Sequence, residues 1–138
     1  MNKILTTLSL LTTAALLSAS AQAQTMMMHA GSFHALGAPT TGNVSATQQG
    51  GKVTVKLSNL KTEPGPGLQV WLYAAAAPKK GASDASIAAV KHVKVGDLKM
   101  FKGNFSFTAP AGTKLSDFKS VVLYCDNVKT AFAAADLK

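Results

Sequence analysis

The feature that most constrains this chain is the alternation of apolar and polar residues in short runs separated by glycine, proline or asparagine. In KVTVKLSNL, residues 52–60, valine and leucine occupy alternate positions, with threonine, lysine and serine between them. Such alternation places the apolar side chains on one face of a strand and the polar ones on the other. Runs of this kind from residue 42 onward predict an all-β chain, an antiparallel β-sandwich or flattened barrel of about six to eight short strands.

The boundaries between these runs carry recognisable turn residues. Gly50 and Gly51 predict a tight hairpin, and the two prolines and two glycines of residues 62–67 predict a loop. We expect one helical turn near residues 84–88 and a short turn at residues 115–118. The runs assigned to strands read NVSATQQ, KVTVKLSNL, LQVWLYAA, KHVKVGDLK, NFSFTA, SVVLYCD and VKTAFAA.

The N-terminal stretch has the arrangement of a cleavable secretory signal. It begins with a positive charge at Lys3, continues with an apolar run, and ends in small residues. We expect a signal peptide over residues 1–23, an N-terminal arm over 24–41 and one folded domain over 42–138. No cysteine lies at the cleavage region, so the chain is not expected to be a lipoprotein. The mature protein is expected in the periplasm or outside the cell.

All of the positive charge comes from lysine. The chain has 14 lysines, no arginine and 6 acidic residues, for a formal net charge of +8. The guanidinium group is the usual reader of phosphates and bases, so its absence argues against a nucleic-acid partner. The lysines are expected to keep the protein soluble, to oppose edge-to-edge strand pairing, or to attract acidic partners and anionic envelope surfaces.

The chain contains a single cysteine, Cys125, in the run SVVLYCDN. In an exported protein an unpaired cysteine suggests a reactive thiol or an intermolecular bond, and a buried inert thiol is the alternative. In an unbroken strand, Val121, Leu123 and Cys125 share one face, Asp126 projects to the other, and Lys129 lies roughly 13 Å along the strand. If the chain turns at Asp126, Cys125 lies at a hairpin mouth that a lysine can approach. Both geometries stay open.

The residues from 101 to 137 combine KGN, LSDF and SVVLYCDN with a final strand ending in AFAAADL. In this order they resemble the signature half of the DM-thirteen (electron transfer DM-thirteen) domain family. The resemblance extends forward to about residue 31 and differs at Gly65-Pro66-Gly67, where the family typically has Gly-Pro-Asp. The residues at the family's positions are Gly31, Phe33, Gly37, Gly42, Pro110, Leu115, Ser116, Asp117, Phe118, Ser120, Val121, Val122, Tyr124, Cys125, Phe132, Ala135 and Leu137.

The resemblance implies a β-sandwich module of the kind associated with DOMON-like and cytochrome b-type redox modules. In that family the cysteine is proposed as a redox-active group in electron transfer. The redox candidate here is therefore Cys125, with Tyr124, Asp126 and Lys129 as its environment. The expected partner is a redox protein or a membrane-bound electron carrier, with no tightly bound cofactor, and a dimer linked through Cys125 is an open alternative.

A separate candidate site is the MMMH motif near the N-terminus. Thioether and imidazole groups suit Cu(I) in an exported protein, although these residues also fit a disordered tail left by signal cleavage. A blue-copper centre at Cys125 is not expected, because the residues that follow it, DNVKTAF, contain neither histidine nor methionine. The copper candidates are Met26, Met27, Met28, His29 and His34.

The remaining aromatic and polar residues favour structure over catalysis. We expect His34 to be a hydrogen-bonded structural residue and His92 to lie on the wet side of a strand, while Trp71 and Tyr73 either pack or form an aromatic binding surface. Acidic residues are few and scattered, and no nucleophile has a histidine and a carboxylate at motif spacing, so a hydrolytic enzyme is not expected.

The sequence therefore predicts a redox or electron-transfer module, or a thiol relay, that acts through Cys125. One alternative is a non-catalytic, lysine-rich binding or adhesion module of the cell envelope. The other is copper capture by the N-terminal Met and His residues.

Overall fold

The computed structural model describes residues 26–138, which form two antiparallel β-sheets packed as a sandwich. The strands are β1 (Met26–Ser32), β2 (His34–Ala35), β3 (Thr41–Gln49), β4 (Lys52–Lys61), β5 (Leu68–Tyr73), β6 (His92–Asp97), β7 (Lys102–Thr108), β8 (Ser120–Cys125) and β9 (Thr130–Asp136). A short helix, α1 (Asp84–Ala89), lies between β5 and β6, and a 3₁₀ turn (Leu115–Asp117) precedes β8. The predicted signal peptide and its cleavage site lie outside the described residues.

The strand order confirms the predicted antiparallel sandwich. One sheet has the order β1-β3-β4-β7 and the other has the order β2-β9-β8-β5-β6. The two sheets do not close into a barrel. Every run assigned to a strand from its alternation forms one, and β3 and β4 are joined at Gly50, whose φ of 60° is in the region that favours glycine. No helix in residues 26–138 has the length and hydrophobicity needed to cross a membrane.

Residues 26–35 differ from the arm expected from the sequence, because they form β1 and β2. β1 pairs with β3 from Met26 opposite Gln49 to Ser32 opposite Asn43. The chain then crosses to the other sheet, where β2 pairs with β9. Most side chains of β1 are exposed, so main-chain hydrogen bonds to β3 hold this edge strand, and its sequence needs no apolar alternation.

Two apolar clusters flank the five-stranded sheet. The first fills the space between the sheets and includes Val55 and Leu57 of β4 with Val121 and Leu123 of β8. The second lies on the outer face of the sheet, where α1 contributes Ile87. All residues of β8 are buried, so both faces of this central strand are removed from water. The second cluster consists of Trp71, Tyr73, Ala77, Ile87, Val122, Tyr124, Ala131 and Ala134.

The edges of the two sheets meet where β6 passes β7, and a glycine permits the contact. A Cβ atom on Gly96 would overlap Cδ1 of Phe107 and lie 2.6 Å from its Cε1. We therefore expect Gly96→Ala to lower the free energy of unfolding by about 1–3 kcal/mol, measured by urea denaturation.

The matched control is Gly51→Ala, because a Cβ atom on Gly51 would meet no atom within 4 Å. This substitution should leave stability nearly unchanged or raise it slightly. Equal urea midpoints for the two variants would contradict the expected clash between Gly96 and the ring of Phe107.

Candidate functional site around Cys125

Cys125 is the last residue of β8, and its side chain lies in the core between the sheets with 0% exposure. It is opposite Leu68 of β5 and Thr130 of β9. Val121 and Leu123 belong to the same core cluster, as alternation along an unbroken strand predicts. The chain also turns directly after Cys125. The strand is therefore unbroken as far as Cys125, and the chain turns immediately after it, so each of the two expected geometries is present in part. The sulfur faces the core.

One loop, residues 62–67, covers the sulfur. The Cys125 thiol donates a hydrogen bond to the backbone carbonyl of Pro66, with an Sγ to O distance of 3.0 Å. The backbone N–H of Asp126 donates to the carbonyl of Gly67 at 3.0 Å. A side-chain bond and a backbone bond thus tie the loop to the end of β8.

The glycines of the loop permit this close cover. A Cβ atom on Gly65 would lie 2.8 Å from Cζ of Phe132 and 3.2 Å from Sγ of Cys125. Gly67 has a φ of +73°, and a Cβ atom there would lie 2.9 Å from Oδ1 of Asn127. Since an L-residue at Gly67 is strained and one at Gly65 collides with the ring, only glycine fits both positions without movement of the loop.

The charged side chains that follow Cys125 pair with each other at the surface. Nζ of Lys129 donates to Oδ1 of Asp126 at 2.8 Å, with the two side chains 71% and 46% exposed. This hydrogen bond raises the pKa of Lys129 above its usual value. The pair contributes little stability in such an exposed position. Asp126 and Lys129 were expected to surround the thiol, but neither side chain is its hydrogen-bond partner. That partner is the carbonyl of Pro66.

Tyr124 belongs to the cluster on the outer face of the sheet, opposite to Cys125. Burial raises the pKa of Tyr124, and the negative charge of Asp84 raises it further, while Lys129 acts in the opposite direction. Asp84 is held in place because its Oδ1 accepts a hydrogen bond from the backbone N–H of Ala131 at 2.9 Å. The phenol is thus kept in its neutral form beside the surface charges.

Three aromatic rings stack across β6, β5 and β8. Trp71 lies between His92, at 3.7 Å between ring centroids and 8° between planes, and Tyr124, at 4.2 Å and 21°. His92 thus lies on the outer face of its strand, as expected, but the stacking leaves it half-buried, and its Nδ1 lies 2.7 Å from the carbonyl of Val90. Trp71 and Tyr73 are 4% and 2% exposed, so they pack beneath the α1 segment and do not form an open binding surface.

The copper candidates lie on two different strands. Successive side chains of β1 point to opposite faces, so Met26 and Met28 share one face while Met27 and His29 share the other. His34 lies on β2, and its Nε2 is 2.7 Å from the carbonyl of Pro78. Within residues 26–138, no group of three or more His, Cys, Asp or Glu residues is placed to hold a metal ion.

Sequence reasoning missed the residues that enclose the sulfur, which are Gly65, Pro66 and Phe132. The two glycines and two prolines identified residues 62–67 as a loop, but spacing along the chain does not show which strand end a loop covers. The available signal was the position of Gly65-Pro66-Gly67 directly before β5. A loop at the start of β5 lies beside the strand that pairs there, which is β8 at Cys125.

The segment that contains this site matches a known protein family. The family model described as Electron transfer DM13 matches residues 32–137, from the end of β1 through β9. The resemblance drawn from the sequence is confirmed by this match. Comparison with curated proteins and with solved structures gives no match.

Because Cys125 has no exposed surface, we expect iodoacetamide to alkylate the folded protein at roughly a tenth of the rate in urea, or less. Gly65→Ala should speed alkylation of the folded protein, since the added methyl group displaces the loop from Phe132 and from the sulfur. Mass spectrometry of the modified fraction over time measures both rates.

The control for this measurement is Gly51→Ala, which should be alkylated at the native rate. Circular dichroism at the same temperature establishes that each variant is folded. Equal rates for folded and unfolded wild-type protein would show that the loop does not protect the sulfur.

Burial of the two tyrosines also makes the stability of the protein depend on pH. Tyr73 and Tyr124 both have a pKa raised above 10.0. A raised pKa means that the folded state favours the neutral phenol. This contribution to stability is complete below the unfolded pKa and is lost as pH rises through the folded values. We expect the free energy of unfolding to fall above about pH 10, and to fall less in Tyr124→Phe than in wild type.

Urea denaturation at a series of pH values, followed together with tyrosinate absorbance, measures this effect. Comparing the two proteins at the same pH cancels the contribution that lysine deprotonation makes to both. Tyrosinate absorbance that rises at the ordinary pKa while the protein is still folded would contradict the expectation.

Proposed function

Because the chain belongs to the Electron transfer DM13 family, we propose that it is an electron-transfer module in which Cys125 is the redox-active group. The observation that supports Cys125 is its position, since the one thiol of the chain lies within the matched segment beneath a single loop. With one cysteine the chain cannot form an internal disulfide, so a redox exchange through the sulfur requires a second molecule.

The proposed exchange is a thiol relay that begins with movement of residues 62–67. In the closed arrangement, the hydrogen bond to the Pro66 carbonyl requires a protonated sulfur, whereas the thiolate is the nucleophile. Once the loop moves, the Cys125 proton passes to solvent and the thiolate attacks a partner's disulfide. The partner's S–S bond breaks, a mixed disulfide with Cys125 forms, and the partner's other sulfur leaves as a thiolate. A dithiol of a second exported protein, the electron donor, then attacks the sulfur of Cys125 and releases the partner as a dithiol. The donor's other thiol resolves the new mixed disulfide, which frees Cys125 and leaves the donor as a disulfide, so two electrons pass from donor to partner.

The proposed setting is the periplasm or the extracellular space, where partner disulfides persist. The proposed partner is an exported redox protein or a membrane-bound electron carrier. Every lysine in residues 26–138 is exposed, which supports attraction between this protein and an acidic partner surface. This long-range attraction would be weakened by added salt.

The proposal is tested with oxidised and reduced glutathione as the probe. The folded protein is equilibrated at a series of ratios of the two forms, and the mixed disulfide is quantified by mass spectrometry. We expect it to form slowly on wild type and faster on Gly65→Ala, because loop movement limits access to the sulfur. Cys125→Ala, verified as folded by circular dichroism, should form none.

Two outcomes decide against this function. The thiol relay is wrong if the folded protein forms no mixed disulfide at any ratio while the urea-unfolded chain forms it readily. It is also wrong if glutathione adds to wild type and to Gly65→Ala only in molecules that have globally unfolded. Hydrogen exchange on the same samples measures the fraction of such molecules.

A further inference from the structure

An open hollow lies between residues 62–67 and the turn that joins β6 to β7. Its volume is about 470 Å³, within the range of about 300–1,000 Å³ typical of small-molecule sites. Its walls include Lys61, Pro64, Lys99, Met100, Phe101 and Lys102. We call it the lysine-rimmed hollow.

Backbone hydrogen bonds hold the two walls of the hollow together. The N–H of Thr62 donates to the carbonyl of Phe101 at 2.9 Å, and the N–H of Leu98 donates to the carbonyl of Leu68 at 2.8 Å. The hollow is thus formed before any ligand arrives, which lowers the entropic cost of binding.

The apolar part of the hollow is unusually exposed. Met100 is 66% exposed, the highest value among the large hydrophobic residues of the described chain. Phe101 is half-buried beside it, and Pro64 is exposed on the other wall. Methionine adapts its shape to varied ligands, so these three side chains offer a deformable surface to an apolar ring or short chain.

The rim of the hollow carries positive charge without paired carboxylates. The ion pairs in residues 26–138 are Lys94 with Asp97 and Lys129 with Asp126. Neither pair involves Lys61, Lys99 or Lys102. Glu63 is the acidic residue next in sequence. It lines a neighbouring hollow that Lys61 also borders, but the ion pairs of residues 26–138 do not include one between these two side chains.

Two of the rim lysines also oppose each other directly. Lys61 of β4 is the register partner of Lys102 of β7, and like charges directly opposite in an antiparallel pair destabilise a sheet. An anion bound between them would remove this repulsion. The arrangement therefore costs stability in the empty protein and favours a negatively charged ligand.

We propose that the lysine-rimmed hollow is a binding site for a small amphipathic anion. An apolar ring or short chain of the ligand lies against Met100, Phe101 and Pro64, and its carboxylate or sulfonate lies between Lys61 and Lys102. The small volume fits a small molecule, since protein partners bury larger areas. The site goes beyond the proposed relay and does not depend on Cys125.

The test titrates the folded protein with naphthalene-2-sulfonate and follows backbone amide shifts by NMR, with 2-naphthalenemethanol as the uncharged analogue. We expect shifts centred on residues 61–64 and 99–102, weaker binding by the alcohol, and binding that weakens as salt is added. Lys61→Gln, Lys99→Gln and Lys102→Gln should each weaken sulfonate binding by about twofold to fivefold.

Lys52→Gln is the matched control, because Lys52 is an exposed lysine at the other end of β4. It should leave binding unchanged. Lys61→Gln should also raise the urea midpoint of the empty protein, because it relieves the repulsion with Lys102. A lower affinity of this variant for the sulfonate would then not be explained by lost structure.

Three results would overturn the proposal. The first is no shift at millimolar sulfonate, and the second is an equal loss of affinity in Lys52→Gln and Lys99→Gln, which would indicate diffuse attraction to a basic surface. The third is binding of a glutamate-rich peptide to these residues without binding of the sulfonate, which would assign the surface to a protein partner.

Discussion

The pairing of β5 with β8 at the centre of the five-stranded sheet is the constraint on which the site depends. Both strands are buried on almost all of their length, so one face needs the opposing sheet and the other needs the α1 segment. Their register sets Leu68 opposite Cys125. Because a slip by one residue would turn every side chain to the wrong face, this register also determines that the sulfur lies inside.

The same pairing explains why a loop rather than solvent meets the sulfur. The chain leaves the opposing sheet at Lys61 and enters β5 at Leu68, directly beside the end of β8. The connecting residues must therefore pass over Cys125. Glycine at 65 lets the backbone approach the ring of Phe132, and the Pro66 carbonyl then receives the thiol's hydrogen bond. The cover over the sulfur thus follows from where two neighbouring elements begin and end.

Much of the fold follows from local pattern, whereas the site depends on contacts between distant residues. Alternation in residues such as Val53, Val55 and Leu57 identified the strands that bury one face. It did not identify β1, whose methionines remain exposed while its backbone pairs with β3. Similarly, alternation placed Cys125 with Val121 and Leu123.

Other features of the site could not be predicted from periodicity because their partners come from separate strands. Alternation placed His92 on the outer face of its strand, but it could not show that the ring of Trp71 partly covers that face. The pairing of Lys61 with Lys102 likewise depends on register between β4 and β7, including the irregularity between Leu57 and Leu60. Neither contact can be deduced from the residues that neighbour these positions in the sequence.

The loop over Cys125 separates chemical access to the sulfur from the stability of the sandwich. Residues 62–67 contribute no strand pair to either sheet, so their displacement breaks few hydrogen bonds and exposes a small area. Such a sub-global opening has a weak dependence on denaturant, since that dependence scales with newly exposed surface. Changes that strengthen the core can therefore leave the lifetime of the shielded thiol almost unaltered, and a change confined to the loop can alter it without moving the melting temperature.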